Sequence, residues 1–515
     1  MLKDRFKLKS VTTIVVCFLA SIMFLGCEKS SENFITAFNF NSPPAVGIID
    51  QVRKTINVVL PEGTDITALV PEIVCSPKAS ISPNSGIPTN FTAPVEYFVI
   101  AQNGNTAKYV VTVTVAQTKT IVEQLREYIY PLRTFEPDGG DTKDLTVLNN
   151  LIGSSKVVAL GEVTHGSSEI FKMKNRLIQY LAINNRFDIF SIEASMPESY
   201  KLNNYTVHGE GDPVKLIWGM YFWTWATTEV LNMVEWMRTY NQSSQRIQFT
   251  GFDMQFYEGA LNELSEAYKE DSEAKTKLAR LKSLLNLAKT RYQQNMTIIL
   301  NDNQMQEFNS IILYLQNSIS NSSWQVSQKN WLLQNITVIQ QCLHMYCNTY
   351  GSINWRDKCM ADNVMWIKEH NPNSKLVLWA HNYHIMRLEQ EQSMGLYLGR
   401  MLGKNYVTFG FAFFDGSYRA YGNNGNTSYE ATEPPSGTVE HLLEQLEEPI
   451  FILDMKKLKS ENQELKNLLD QLNYRTLGSM ATPQYEFGKY GVKITDELDY
   501  LIYIKTSSAS TLLPK

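Results

Sequence analysis

Three observations predict an α/β protein: short apolar runs separated by helical lengths, polar residues collecting where those runs end, and a strand-rich, turn-punctuated segment ahead of them. The expected architecture is a mainly parallel sheet covered by helices, with a helical cap insertion, preceded by a small β-sandwich domain. Composition agrees, since 515 residues at 43% hydrophobic and 19% charged can bury sizeable cores and exclude wholesale disorder. A net charge of −5 without any basic cluster argues against nucleic acid as the main partner, and the partner expected is a small-molecule substrate.

The first 26 residues read as a secretory signal rather than as fold. Lys3, Arg5, Lys7 and Lys9 precede an apolar run from Val11 to Gly26 that is short for a membrane span. The run closes Phe24-Leu25-Gly26-Cys27, which resembles a bacterial lipoprotein box, with Phe24 where Leu is usual. This makes Cys27 the expected lipidation site, residues 27–33 a tether, and membrane lipid in the cell envelope, outer membrane included, the expected partner. Removing residues 1–26 moves the formal charge from −5 to −8, so the lipid and not the protein surface would hold the anionic bilayer. Of the remaining Cys75, Cys342, Cys347 and Cys359, one bridge among the last three is conceivable, but there is no disulfide framework.

Residues 34–117 carry short β-branched runs broken by Pro, Gly and Asn. Ile56 to Leu60 reads as a strand, and Tyr97 to Ala101 with Tyr109 to Val115 as a hairpin around an Asn103-Gly104 type I′ turn. The composition resembles the immunoglobulin-like domains that follow the lipid anchor in many Bacteroidetes surface lipoproteins, and the segment holds no constellation of reactive side chains.

Beyond Thr118 the seven runs are Lys156–Leu160, Phe187–Ala194, Ile247–Phe252, Lys375–Ala380, Tyr406–Phe413, Pro449–Leu453 and Tyr500–Ile504. Glu162 and His165, Glu193, Asp253, His381 and Asp454 follow or close these runs, and ligands of open α/β sheets bind outside the carboxyl ends of strands. Residues 256–355 form a helical insertion. Its stripes at Leu278, Leu281, Leu285 and Ala288, and at Phe308, Ile311, Ile312, Leu315 and Ile319, fit either core or a cap over the strand ends. The amide-rich stretch 295–306 reads as a solvated connection.

No Gly-x-Ser-x-Gly elbow, His-Glu-x-x-His pair, Cys-x-x-Cys, P-loop or dinucleotide fingerprint occurs, so serine-hydrolase and nucleotide chemistry lose ground and no cofactor is assigned. Three of the seven histidines sit in two short motifs, Gly161-Glu162-Val163-Thr164-His165-Gly166 and Trp379-Ala380-His381-Asn382-Tyr383-His384. Such clustering with Glu162 and Glu193 points to a site.

Together with Ile192-Glu193-Ala194, Trp223-x-Trp225, Thr228-Glu229-Val230, Glu235-Trp236, Gly251-Phe252-Asp253, Arg356-Asp357 and Met394-Gly395, these motifs resemble the erythromycin esterase family in content and order, over about Tyr128 to Ile504. The resemblance covers the 118–510 domain. It implies an α/β fold shared with haem-binding ChaN-like proteins, and hydrolysis of a macrolide lactone by an activated water without a covalent intermediate. Carried over by motif, His165 is the general base, Glu162 orients it, and Glu193 and His381 complete the cleft. Imidazole, with an ordinary pKa of about 6.5, can take a proton from water, and an adjacent carboxylate fixes its tautomer. Arg356 is the candidate for stabilising the oxyanion, unless it is spent on Asp357 or another carboxylate. His384, Lys174, Trp223, Trp225, Glu229 and Asp253 are expected on the substrate side. Lys174 stands where the antibiotic-degrading members are expected to carry Arg, which keeps the charge without the planar fork.

Three function classes stay open at this point: a metal-independent ester or lactone hydrolase, a metal-dependent hydrolase using the same Glu/His cluster, and a non-enzymatic surface protein binding a haem-type ligand.

Overall fold

The computed structural model describes residues 29–116, 119–137, 140–243, 246–347, 352–483, 486–488 and 492–515. The expected signal and the lipidation site Cys27 lie outside these residues. The chain divides into two compact units, Met1–Lys119 and Thr120–Lys515.

The first unit is built from two sheets around one core. A three-stranded sheet sets Ile35–Asn41 between Pro44–Val46 and Pro71–Cys75. A five-stranded sheet runs in the order Ile48–Asp50, Thr55–Leu60, Thr106–Val115, Val95–Ile100, Ser80–Ser82. Strand alternation does the sorting, for Tyr109, Val111 and Val113 point inward with Phe38, Phe91 and Tyr97 while their neighbours are less buried. The hairpin between Val95–Ile100 and Thr106–Val115 is not closed by the type I′ turn that Asn103-Gly104 suggested. Only Gly104 has positive φ, and a five-residue loop forms in which Asn105 N donates to the Asn103 side chain (2.9 Å) and Gly104 N to Ala101 O (2.9 Å).

In the second unit we label the sheet strands β1 (Ile129–Pro131), β2 (Val157–Leu160), β3 (Ile189–Ser195), β4 (Gln248–Asp253), β5 (Leu376–Trp379), β6 (Tyr406–Gly422), β7 (Gly425–Glu430), β8 (Ile450–Asp454) and β9 (Tyr500–Ser507). Their order is β4-β3-β5-β2-β6-β9-β8-β1, with β7 hairpinned onto the far end of β6. The first six are mutually parallel, and β8 is antiparallel to both its neighbours. Every residue of β2, β3 and β5 is buried, as both-face coverage requires of a parallel sheet.

The antiparallel run of β8 corrects one expectation. Asp454 pairs in register with Tyr500, the first residue of β9, so it stands beside the amino end of a parallel strand and not outside a carboxyl end as Glu193 and Asp253 do. It serves there as the cap of Met455–Glu461, accepting from Lys457 N (2.9 Å).

The helices that position the site are α1 (Ser168–Asn185), α2 (Met196–His208), α3 (Thr228–Tyr240), the insertion helices α4 (Glu258–Ala267), α5 (Ser272–Gln293), α6 (Asp302–Asn321), α7 (Val326–Cys347) and α8 (Ser352–His370), then the single turn α9 (Asn382–Ile385) and α10 (Met394–Leu402). The stripes of α5 and α6 are buried in the same core that takes Val157, Ala159, Ile189, Leu376 and Leu378 from one sheet face, so they are interior packing. The last five residues of the amide-rich stretch are helical, because Asn301 forms a capping box with Gln304 and starts α6 at Asp302. Cys75, Cys342, Cys347 and Cys359 are all free thiols.

Candidate functional site

The loop after β2 and the start of α1 form the first half of the site. Ser167 caps α1, its hydroxyl accepting from Ile170 N (3.3 Å), and so fixes where the preceding motif leaves the strand. Glu162 is fully buried. Its Oε1 accepts from His165 Nδ1 (2.7 Å), and its Oε2 from both Lys174 Nζ (2.7 Å) and Trp379 Nε1 (2.7 Å). Burial works to raise this carboxyl's pKa, but Lys174 and His165 outweigh it and leave the pKa lowered, so the group is an ionised acceptor. The contact with Glu162 therefore takes an N–H at Nδ1, and Nε2 is the ring nitrogen left toward the cleft. That nitrogen has no protein partner among the described residues, and the His165 side chain is 15% exposed.

The second half gathers around Glu193 at the end of β3. Glu193 Oε1 accepts from Arg356 Nη2 (2.7 Å) and lies 3.3 Å from His384 Nε2, and Oε2 accepts from His381 N (3.0 Å). Arg356, in the first turns of α8, also grips Asp253 at the end of β4, through Nε to Oδ1 (3.1 Å) and Nη2 to Oδ2 (2.8 Å). Next to it Asp357 accepts from His384 Nδ1 (2.9 Å) and from Met394 N (2.7 Å), the start of α10. Burial alone would lower the His384 pKa, but Asp357 and Glu193 raise it to about 10, so this imidazole is a cation at neutral pH. Burial likewise opposes the charge on Glu193, yet His384 and Arg356 hold its pKa well below the usual carboxylate range.

Several expected roles change. Lys174 is wholly buried beneath Glu162, its ammonium 4.4 Å from the Trp379 ring centroid, so it charges the carboxylate and cannot meet a substrate. Burial brings its pKa down to about 8 against the pull of Glu162. His381 stands against His165, ring centroids 5.1 Å apart, but both its nitrogens are spent: Nε2 donates to Leu477 O (2.6 Å) and Nδ1 accepts from Tyr383 N (3.2 Å). That pattern requires the neutral ring, and burial together with His165 takes its pKa down to about 4. His381 is a wall and helix cap, not a proton carrier. Arg356 does not pair with Asp357, since the bidentate grip is on Asp253, which is itself unexposed and saturated by Met254 N (2.7 Å) and Gln255 Nε2 (2.7 Å).

Trp225 is buried with Nε1 donating to Glu193 O (3.0 Å) and its ring edge-on to His165, so it braces the site from behind. Trp223 packs on Tyr421 at 5.8 Å. Glu229 is taken up by the C-terminal tail, accepting from Thr511 N (3.3 Å), and makes no contact with the cluster among the described residues. Three participants carried no sequence signal of their role: Asp357 as partner of His384, Trp379 as donor to Glu162, and the Leu477 carbonyl that holds His381. Two glycines are dictated by close approach, since a Cβ at Gly161 would strike the Asn382 side chain and one at Gly166 the Arg419 carbonyl.

Among the described residues no three His, Cys, Asp or Glu side chains converge to hold a metal ion, and the carboxylate oxygens that would do so already face Lys174, Arg356, Trp379 and imidazole donors. Among the described residues, of the three cleft imidazoles only His165 keeps a ring nitrogen without a protein partner, so these histidines do not offer a pair of axial ligands for a haem-type group.

A mainly parallel α/β sheet with a Glu/His/Arg cluster outside its strand ends is the class that fold and site define. The family model described as Erythromycin esterase matches residues 183–507, well over half the chain, and the protein belongs to that family. The matched span contains Glu193, Asp253, Arg356, Asp357, His381 and His384, while Glu162, His165 and Lys174 precede it. A second model, described as SGBP, N-terminal, matches residues 35–113. Among curated relatives, the putative hydrolase YbfO of Bacillus subtilis is 23% identical over 63% of this chain and 80% of its own length. The Escherichia coli erythromycin esterase type II is 24% identical over 62% of this chain and 84% of its own. Among solved structures, a Bacillus cereus protein superposes with a TM-score of 0.68 at 23% identity, over 76% of this chain and 98% of that one. A point mutant of the erythromycin esterase EreC in its open conformation gives 0.57 at 15%, over 74% and 98%. These likenesses establish the fold, and the relatives' names mark the family as one of hydrolases.

Proposed function

We propose that the protein hydrolyses a lactone or other carboxylic ester with a water molecule activated by His165. The observation that carries this reading is the anchored dyad, in which Glu162, locked by Lys174 and Trp379, holds Nδ1–H of His165 and leaves the Nε2 lone pair for a water proton. Charge balance supports it. The carboxylates Glu162, Glu193, Asp253 and Asp357 face the cations Lys174, Arg356 and His384, one positive charge fewer than negative, so an imidazolium formed at His165 neutralises the cluster. Attack on the ester carbonyl builds an oxyanion; Arg356 Nε and Nη2 and both His384 nitrogens already face carboxylates, so Nη1 of Arg356, 3.1 Å from His384 Nε2, is the group of that cationic pair that would be left to receive it. The collapsing intermediate then returns the proton from His165 to the departing alkoxide, so no group is left covalently modified.

A cavity of about 250 Å³ is lined by His381 and Val163 together with Tyr383, Met386, Leu388 and Val492, and would admit an apolar part of the substrate. With Cys27 lipidated, the enzyme would work at the cell envelope. The test is a mass-change screen of lactones, carboxylic esters and macrolides with purified protein and its His165→Ala variant. Turnover of one class by the parent and its loss in the variant support the reading, while an unreactive parent across the panel overturns it. For the location, Cys27→Ala should yield unprocessed or soluble protein, and envelope fractionation equal to the parent's would refute lipidation.

A further inference from the structure

Away from the cluster, a groove of about 410 Å³ opens beside the edge strand of the sheet. Its floor is Ile189, Phe249 and Thr250, and its walls are the start of α2, the start of α7 and the end of α8. It lies on the same helix as Arg356 but well apart from it, since Trp366 and His370 follow Arg356 by ten and fourteen residues, roughly 15 and 21 Å of helix.

Two features of the lining fit together. The first is a run of aromatic rings from three elements. Tyr200, 37% exposed, lies 4.6 Å from Trp331 at an interplanar angle of 37°, Trp331 is 6.3 Å from Trp366, and Trp366 stacks on His370 at 4.1 Å and 25°. Trp331 spends its one polar atom on Glu263 (2.9 Å), which leaves its ring as an apolar surface of fixed orientation. The second is a fringe of neutral polar side chains. Gln248, Ser327 and Asn330 line the groove with no hydrogen-bond partner for their side chains among the described residues, beside Asn371, whose Nδ2 donates to Ile367 O (2.9 Å). Among the described residues no Asp, Glu, Lys or Arg lines the groove. A purely apolar ligand would leave those amides and the hydroxyl without partners, and a charged one would find no counter-charge. A ligand with an apolar face and several uncharged hydroxyl groups around its rim satisfies both surfaces at once, and a pyranose ring is such a ligand: its axial C–H face packs on indole while its equatorial hydroxyls reach amides.

We propose that this groove is a second binding site, for a neutral saccharide, separate from the hydrolytic cleft and not dependent on the reading of that cleft. Binding should be indifferent to salt, because no ion pair contributes.

The test uses the full-length protein and a panel of neutral gluco-, xylo-, manno- and chito-oligosaccharides, read by tryptophan fluorescence and calorimetry, with p-nitrophenol and adenosine as flat aromatic controls. At least one oligosaccharide series should bind with an affinity unchanged between 50 and 500 mM salt, on the order of the weak salt response expected without ion pairing. Trp366→Ala should weaken it about tenfold or more. Gln248→Ala and Asn330→Ala, at positions that bear no core load, should weaken it severalfold at an unchanged melting temperature. Failure of every oligosaccharide to bind, binding of the flat aromatics alone, or equal affinity in the three variants would each overturn the assignment.

Discussion

His165 Nδ1 lies 2.7 Å from Glu162 Oε1, three residues before it, and the other oxygen of that carboxylate is held by Lys174 and Trp379 at 2.7 Å each. An imidazole oriented by a carboxylate that is itself immobilised can present only Nε2 to the cleft. Glu162→Gln keeps the shape but cannot stabilise the imidazolium or enforce the tautomer, so kcat/KM toward an accepted ester should fall by about 10²- to 10⁴-fold with the fold intact by circular dichroism. An amide variant with parental activity would show that orientation of His165 is irrelevant.

Lys174 and Glu162 are both completely removed from solvent. Lys174→Met strips the buried carboxylate of its cation, and denaturant unfolding should register a loss of about 3–5 kcal/mol, together with lost activity. A loss below about 1 kcal/mol would mean that the pair contributes no more than a surface salt bridge.

The pH dependence of stability should carry a signature of His384. Its folded pKa is raised to about 10, above the ordinary imidazole value of about 6.5, so the protonated ring's contribution is complete below about pH 6.5 and is lost as pH rises through 10. The stability advantage of the parent over His384→Gln should therefore shrink from pH 6.5 to pH 10 in urea unfolding. An advantage that is flat or grows over that range would contradict the Asp357–His384–Glu193 assignment.

The parts of the site readable in the sequence are those set by local spacing. Glu162 and His165 meet because a loop leaving a strand brings residues three apart together, and the strand itself is visible as a buried apolar run. What the sequence hides is strand direction and long-range pairing. Asp454 looks equivalent to Glu193 and Asp253 until β8 proves antiparallel, and Glu229 looks like a cleft residue until the C-terminal tail arrives at Thr511 to bind it. Lys174 shows the same limit from the other side: twelve residues beyond Glu162 it reads as a substrate cation, and only the packing of α1 on the sheet turns it inward.

No serine, threonine or cysteine side chain is hydrogen-bonded to a ring nitrogen of His165, His381 or His384 among the described residues, and burial pushes the Cys342 and Cys359 thiols well up. Rapid-mixing kinetics on a chromogenic ester should accordingly show no burst, and denaturing mass spectrometry no acyl adduct. A stoichiometric burst with a trapped adduct would replace water attack by a covalent route.

The division of the chain at Lys119/Thr120 leaves every residue of the cluster in the second unit. A chain starting at Thr120 should fold and keep full activity on any substrate of the whole protein. An insoluble or inactive product, beside an active full-length control, would show that the first unit is needed for folding or for the site.

The most direct test of the central claim is the kcat/KM of His165→Ala on a substrate that the parent hydrolyses, measured near neutral pH on protein whose melting temperature matches the parent's. Water activation by Nε2 predicts a fall of about 10²- to 10⁴-fold, carried by kcat with little change in KM. Parental kcat/KM in that variant would contradict the account and remove His165 from the chemistry.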